Sequence, residues 1–517
     1  MEFDLLIRNG TVVDGSGEAG RRADVGIRGD QVVAVDALDG SSAAEEIDAT
    51  GKVVAPGFID VHVHSEAALM DLDNPYRYGS VLQGVTTHLA GPDGFGWAPL
   101  PPKQARELWD STLFAYGHGA ITVNWPTVDS YLAEFEGRTP VNVVPQVPHC
   151  AVRLGVMGWE ARPATDDEIE AMKPAVREWL EAGATCLCLG IDYQPSAFAD
   201  TRELVELSKV AREYDAIYAA HVRYNDAGQE AAWRETMEIG CRADIPVHIS
   251  HEKVDAVTGP LLEEAAERCD LTFESYLYPA GCTHLALMLP TWASAGGPEA
   301  IRARLRDPAT RAKMGEHLHH QLTVARGKSR IVFVDNQTGR YIGEDLTEVA
   351  QREGLPAGEF ALKTLEEEHP YALMVYHHGT TRAEQQEAQR RTIQHPRMMV
   401  ASDGMYHGAS GHPRGYGCFA QVLRMSVRET GAVSLEDAVY KMSGFPAERF
   451  RIKDRGLLRP GYGADVVIFD PETVADRATW DAPRQEPVGI DRVIVNGQTV
   501  VLNGAPTGIH PGRVLGH

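Results

Sequence analysis

Short apolar runs rich in β-branched residues recur along this chain, and between residues 57 and 404 they alternate with charged stretches of helical period. Eight runs read as strands: GFIDVHVH, GVTTHLAG, VNVVPQVPH, ATCLCLGI, IYAAHVR, PVHISHEK, LTFESYLY and RMMVASDG. Helical spacers are clearest over Thr165 to Ala182, Ala199 to Tyr214, Glu230 to Gly240 and Thr380 to Gln394. This alternation predicts an α/β fold, most economically a (β/α)8 barrel over residues 56–454.

The two ends carry a different pattern. LLIRNGTVVDG and DVGIRGDQVVAVD near the start, and GADVVIFDP and DRVIVNGQTVVLNG near the end, are β-rich runs punctuated by Asn-Gly and Gly-Asp turn signals. Residues 1–55 and 455–517 are therefore expected to build one small β-sandwich. The β/α spacing fails once, after the seventh strand, where about 285–372 far exceeds an ordinary connection. An insertion there lies on the rim where strand ends meet, so it is a candidate lid or specificity element, or else an oligomerisation element.

Composition narrows the partners. The 517 residues hold 49 Lys+Arg against 73 Asp+Glu, a formal charge of −24, which argues against nucleic acid or an anionic membrane surface. No stretch reaches the roughly 20 apolar residues of a membrane helix. The seven cysteines are scattered with no C-x-x-C spacing, as expected in a reducing compartment. With no basic-then-apolar leader, the chain reads as cytoplasmic; a homo-oligomer is compatible with this picture.

The candidate chemistry sits at strand ends. His62 and His64 lie two residues apart, so in a strand their imidazoles share one face about 7 Å apart. His221 ends the run IYAAH, His251 ends PVHISH, and Asp403 ends MMVASD. Four such endings on one barrel rim would converge on a single divalent ion, and neutral imidazoles with a carboxylate suit Zn²⁺ or a similar borderline metal.

Taken with GHPRGYG and RGLLRPGYGADVVIFDP, the ordered set HVH, HVR, SHEK and ASDG resembles the amidohydrolase superfamily over nearly the full length, and its D-aminoacylase branch, the N-acyl-D-amino acid deacylases. The resemblance implies a metal-dependent hydrolase of linear amides holding one or two Zn²⁺ or another divalent metal. Its small-molecule partner would be an N-acyl amino acid or related amide. It implies metal ligands at His62, His64, His221 and His251 and a general base at Asp403. Substrate contacts fall on Lys253, Tyr276 and Arg414, with Arg223 and Cys282 as further candidates.

Two positions depart from the family pattern. Asp93 of GVTTHLAGPDG stands where the family has a cysteine thiolate ligand, with Asp192 as the rival acidic ligand; Cys282 stands where a serine is usual. Oxygen from Asp93 would favour a harder metal than sulfur does. A cyclic amidase of the hydantoinase or dihydropyrimidinase type is the main alternative. The absence of lysine from ATCLCLGIDYQPS speaks against it, because those relatives carry a carboxylated lysine there. A non-catalytic amidohydrolase-fold scaffold is the third reading; retention of all four histidines and Asp403 disfavours it.

Overall fold

Parallel strand pairing in the computed structural model begins at Phe58–Asp60, which pairs with Val85–Ala90, and that strand pairs with Asn142–Pro145. After Gln146 the chain re-enters pairing at Val147–Pro148, and the ladder continues through Cys186–Gly190, Ile217–His221, Val247–Ile249, Leu271–Ser275 and Met398–Val400. Gly404–Met405 then pairs in parallel with Val63–His64, so the ladder returns to the segment where it began. The structure describes residues 2–119, 121–325, 327, 329–368, 372–408 and 410–516.

Alternation along these strands sorts their side chains. Ile59, Leu89, Val144, Cys188, Ala219 and Met399 form one buried cluster, closed by Phe450 and Ile452. Cys186 lies in the same cluster, so both thiols of CLCLG act as small apolar groups, away from the carboxyl end of their strand. The larger core packs the opposite strand faces against helices such as Asp166–Glu181 and Thr201–Glu213. Thr165 starts the first of these with a capping box, its side chain accepting from the Glu168 amide while Glu168 accepts from the Thr165 amide. Thr381 and Glu384 do the same for Arg382–Gln394.

The excursion after the seventh strand has its own sheet. Ala280–His284 and Arg330–Asp335 both pair antiparallel with Leu373–His377, and helices including Gly297–Arg306, Pro308–His320 and Ala357–Glu368 enclose a separate apolar core around Phe333 and Phe360. Its first strand begins at Ala280 and its last ends at His377, so this sheet runs past the expected limits of about 285–372 on both sides.

The termini share one nine-stranded sheet. Glu2–Val12 is its branch point, pairing antiparallel with Arg21–Arg28 and parallel with both Ser42–Asp48 and Val53–Pro56. Val53–Pro56 passes the sheet on to Val466–Phe469 and the C-terminal strands. No described helix is long and apolar enough to cross a membrane.

Candidate metal centre

The strand ends bring six donor side chains together. Nε2 of His62 lies 3.5 Å from Asp93 Oδ1 and 3.7 Å from Asp403 Oδ1, and Nε2 of His64 lies 3.3 Å from Asp403 Oδ1 and 3.7 Å from Asp93 Oδ2. His221 Nδ1 is 3.9 Å from Asp93 Oδ1 and 2.9 Å from His251 Nε2. Two donor sets emerge, His62 with His64 and Asp403, and His62 with Asp93 and His251, their donor atoms within 4.8 Å of one another.

The imidazole–carboxylate spacings, 3.3 to 3.9 Å, match donors around an ion better than hydrogen bonds, whereas the His221–His251 pair lies at hydrogen-bond distance. Two ligands about 2.1 Å from one tetrahedral ion stand roughly 3.4 Å apart. Both His62 Nε2 and Asp93 Oδ1 are buried without a hydrogen-bond partner, a cost that a bound cation would remove. Burial pushes the His62 imidazolium down, but Asp93, Glu274 and Asp403 outweigh it and raise its pKa to about 10. The pocket thus favours positive charge at its centre.

Local backbone places these groups. Asp93, His251 and Asp403 adopt φ of 56°, 44° and 47°, left-handed conformations that cost non-glycine residues energy and cluster at functional sites. The Asp403 amide donates to the His62 carbonyl at 2.8 Å, locking the last strand end to the first. Asp60 accepts from the Ser402 amide at 2.9 Å and fixes the same turn.

Three of the four imidazoles are held at the other nitrogen. His62 Nδ1 is 2.9 Å from Glu274 Oε1, His64 Nδ1 is 3.4 Å from the Tyr116 hydroxyl, and His221 Nε2 is 3.3 Å from Asp192 Oδ2. Such partners set tautomer and ring orientation. Asp192 also accepts from the amides of Tyr224 and Asn225, both at 3.1 Å. It therefore stands outside His221, while Asp93 stands among the inward donors. Glu274 and Tyr116 were not legible as site residues, although a glutamate inside the apolar strand LTFES was the available signal.

A cleft of 1090 Å³ opens over the centre, with Lys253, Tyr276, Cys282 and Asp403 in its wall. Arg414 Nη1 is 2.9 Å from Asp403 Oδ2, a close ion pair, yet none of its three nitrogens finds a well-aligned acceptor. Its guanidinium lies over the Tyr276 ring, 4.6 Å from the centroid. Burial opposes ionisation of Asp403, but Arg414 and then His64 hold its carboxyl well below the usual range. Lys253 Nζ donates to the Tyr278 carbonyl at 2.7 Å, and burial with Arg414 nearby lowers its pKa to about 8. Burial pushes the Cys282 thiol up to about 12, so this group is a neutral wall.

Arg223 is placed elsewhere. It donates to the carbonyls of Ala197 and Ala199 at 2.6 and 2.8 Å and lies 3.3 Å from Glu235, outside the cleft wall. These contacts tie the segment after His221 to the turn at Ala197 and Ala199.

The amidohydrolase family model matches residues 45–259 and 306–501. The chain belongs to this family. Within the amidohydrolases it falls in the D-aminoacylase branch: it is 35% identical to a D-aminoacylase of Alcaligenes xylosoxydans xylosoxydans, over 99% of this chain and 97% of that protein. An N-acyl-D-glutamate deacylase of the same organism is 34% identical over 99% of this chain and 96% of that protein. Among solved structures, N-acyl-D-glutamate deacylase from Bordetella bronchiseptica, complexed with zinc and a phosphonate mimic of the tetrahedral intermediate, superposes with a TM-score of 0.83 at 32% identity, covering 100% of both chains.

Proposed function

We propose that this amidohydrolase removes the acyl group from N-acyl-D-amino acids in a metal-dependent reaction. The observation that carries the reading is the position of Asp403, with Oδ1 3.3 Å from His64 among the donors and Oδ2 2.9 Å from Arg414. A base and an anion-binding group adjoin the same centre. Likeness to enzymes named for D-aminoacyl and N-acyl-D-glutamate substrates supports both the reaction and the D configuration.

His62, His64, Asp93, His221 and His251 would hold the metal, with Asp403 beside it, and the nitrogen and oxygen donors fit Zn²⁺. When bound, such an ion supplies Lewis acidity toward the amide carbonyl and brings the pKa of a water toward about 7. Asp403 takes a proton as the amide is attacked and returns it to the departing amine. Arg414 and Lys253 attract the substrate carboxylate, and the Tyr276 hydroxyl offers a further hydrogen bond. The returning parallel ladder supports a (β/α)8 barrel over 56–454 with the insertion at about 285–372. The branched terminal sheet supports a sandwich-like domain from 1–55 and 455–517.

The test is release of amine from matched N-acetyl-D and N-acetyl-L amino acids, hydantoins and cyclic imides, with metal content measured in parallel. Turnover of the D series that is lost on chelation and restored by Zn²⁺ is expected, with a drop of roughly 10²–10⁴ in Asp403→Asn. Full activity after chelation, or cleavage of cyclic substrates alone, overturns the reading.

A further inference from the structure

Beside the cleft lies a smaller compartment of 70 Å³, sharing Phe114, Tyr193, Asn225 and Leu287 with it as a common wall. Its far wall comes from the insertion, including Ala286 and Ile301. The Tyr193 ring packs 4.8 Å from His221, and the Phe95 ring 6.0 Å from His64. Tyr193 and Phe95, which line the compartment, thus stand between it and the histidines of the metal centre.

Much of its polar lining is already engaged. The hydroxyls of Ser111 and Thr112 donate to the carbonyls of Leu108 and Trp109, the Asn225 amide donates to the Leu287 carbonyl, and Asp192 is held by the two amides and His221. Gln194 Nε2 is a buried donor without an acceptor. Aromatic and aliphatic carbon forms much of the remaining surface, the character of a pocket for an uncharged chain.

The scissile amide has two substituents, and the cationic corner decides which goes where. Lys253, Tyr276, Cys282 and Asp403 all line the cleft, and none lines the compartment. The amino acid side chain leaves the same carbon as the carboxylate, so it stays in the cleft with that corner. The acyl group lies across the scissile bond, toward Tyr193 and Phe95.

We infer that this compartment is a subsite for the acyl chain and that the enzyme acts on medium-chain N-acyl-D-amino acids in preference to N-acetyl ones. This rests on the deacylase reading above. A 70 Å³ void has room for about five water-sized groups, which suits a chain of about four to six carbons. Each methylene buried contributes about threefold to fourfold in affinity.

The experiment measures kcat/KM for N-acetyl-, N-butanoyl-, N-hexanoyl- and N-dodecanoyl-D-methionine and for N-acetyl-D-alanine. The hexanoyl-to-acetyl ratio is expected to be tenfold or more, with no further gain at dodecanoyl. Ala286→Phe, which fills the compartment, is expected to lower that ratio at least fivefold, and Ile301→Ala to move the optimum to a longer chain. Each ratio is internal to one variant and independent of its folded fraction. Acetyl turnover with no gain for longer chains overturns the compartment while leaving the deacylase reading intact. A methionine-to-alanine ratio that responds to Ala286→Phe while the acyl ratio does not assigns the compartment to the side chain and overturns the inference. No turnover of any N-acyl-D-amino acid overturns both.

Discussion

Oε1 of Glu274 lies 2.9 Å from Nδ1 of His62 and accepts from the backbone amide of His251 at the same distance. One buried carboxylate thus aligns two histidines of the centre. Its other oxygen contacts His248. Burial opposes its charge, but His248 and His62 hold the carboxyl well below the ordinary range, so it acts as an acceptor at neutral pH.

Glu274→Gln keeps the shape and removes the charge. Metal affinity should fall about 10–100-fold, as is usual when a group orienting a ligand is lost. Metal retained on dialysis against graded chelator reads this directly. Wild-type retention would show that Glu274 only fills space.

Asp93 and Asp192 both approach His221, but only Asp93 also faces His62 and His64. Asp93→Ala should therefore lower the number of ions bound per chain, whereas Asp192→Asn should leave the number unchanged and lower affinity modestly. Elemental analysis of the purified variants separates the two. The reverse pattern would move the acidic ligand to Asp192.

The stability of the fold should fall in mild acid through His88. This imidazole is buried between the hydroxyls of Ser65 and Ser80, at 2.9 and 2.7 Å, and burial lowers its pKa to about 3. Between about pH 3 and 6.5 the unfolded chain binds a proton that the folded chain excludes, so stability decreases as pH drops through this window. Thermal midpoints from pH 7.5 to 4.5 should decline less steeply in His88→Gln than in wild type. Equal slopes would assign the acid sensitivity elsewhere.

Strand-borne features were the legible ones. His62, His64, His221, His251 and Asp403 announce themselves because each ends an apolar run, and the parallel ladder brings these run ends within reach of one another. Asp93 was legible only through resemblance, since its loop has no regular period. Glu274 and Tyr116 were hidden because their role is contact with a histidine distant in sequence, and no local pattern encodes that. Arg223 lies two residues after His221 in sequence, and its side chain turns to the Ala197 and Ala199 carbonyls, a contact that no local pattern encodes either. The limits of the insertion were blurred because Leu373–His377 continues an apolar pattern across the boundary.

Arg414 offers a test of the substrate carboxylate itself. Its guanidinium is fixed from two sides, by the Tyr276 ring at 4.6 Å and by Asp403 at 2.9 Å, and its nitrogens lack well-aligned acceptors. Lysine preserves the charge but loses the planar fork and the stacking, so Arg414→Lys is not a conservative change here. KM for an N-acyl-D-amino acid should rise about tenfold to a hundredfold, in line with about 1.5–3 kcal/mol for a hydrogen bond to a charged group. An N-acyl-D-amino acid carboxamide has no carboxylate for Arg414 to hold. The wild-type preference for acid over carboxamide should therefore collapse in the variant. If that preference is the same in both proteins, the carboxylate is held by other groups, and Lys253 becomes the first candidate.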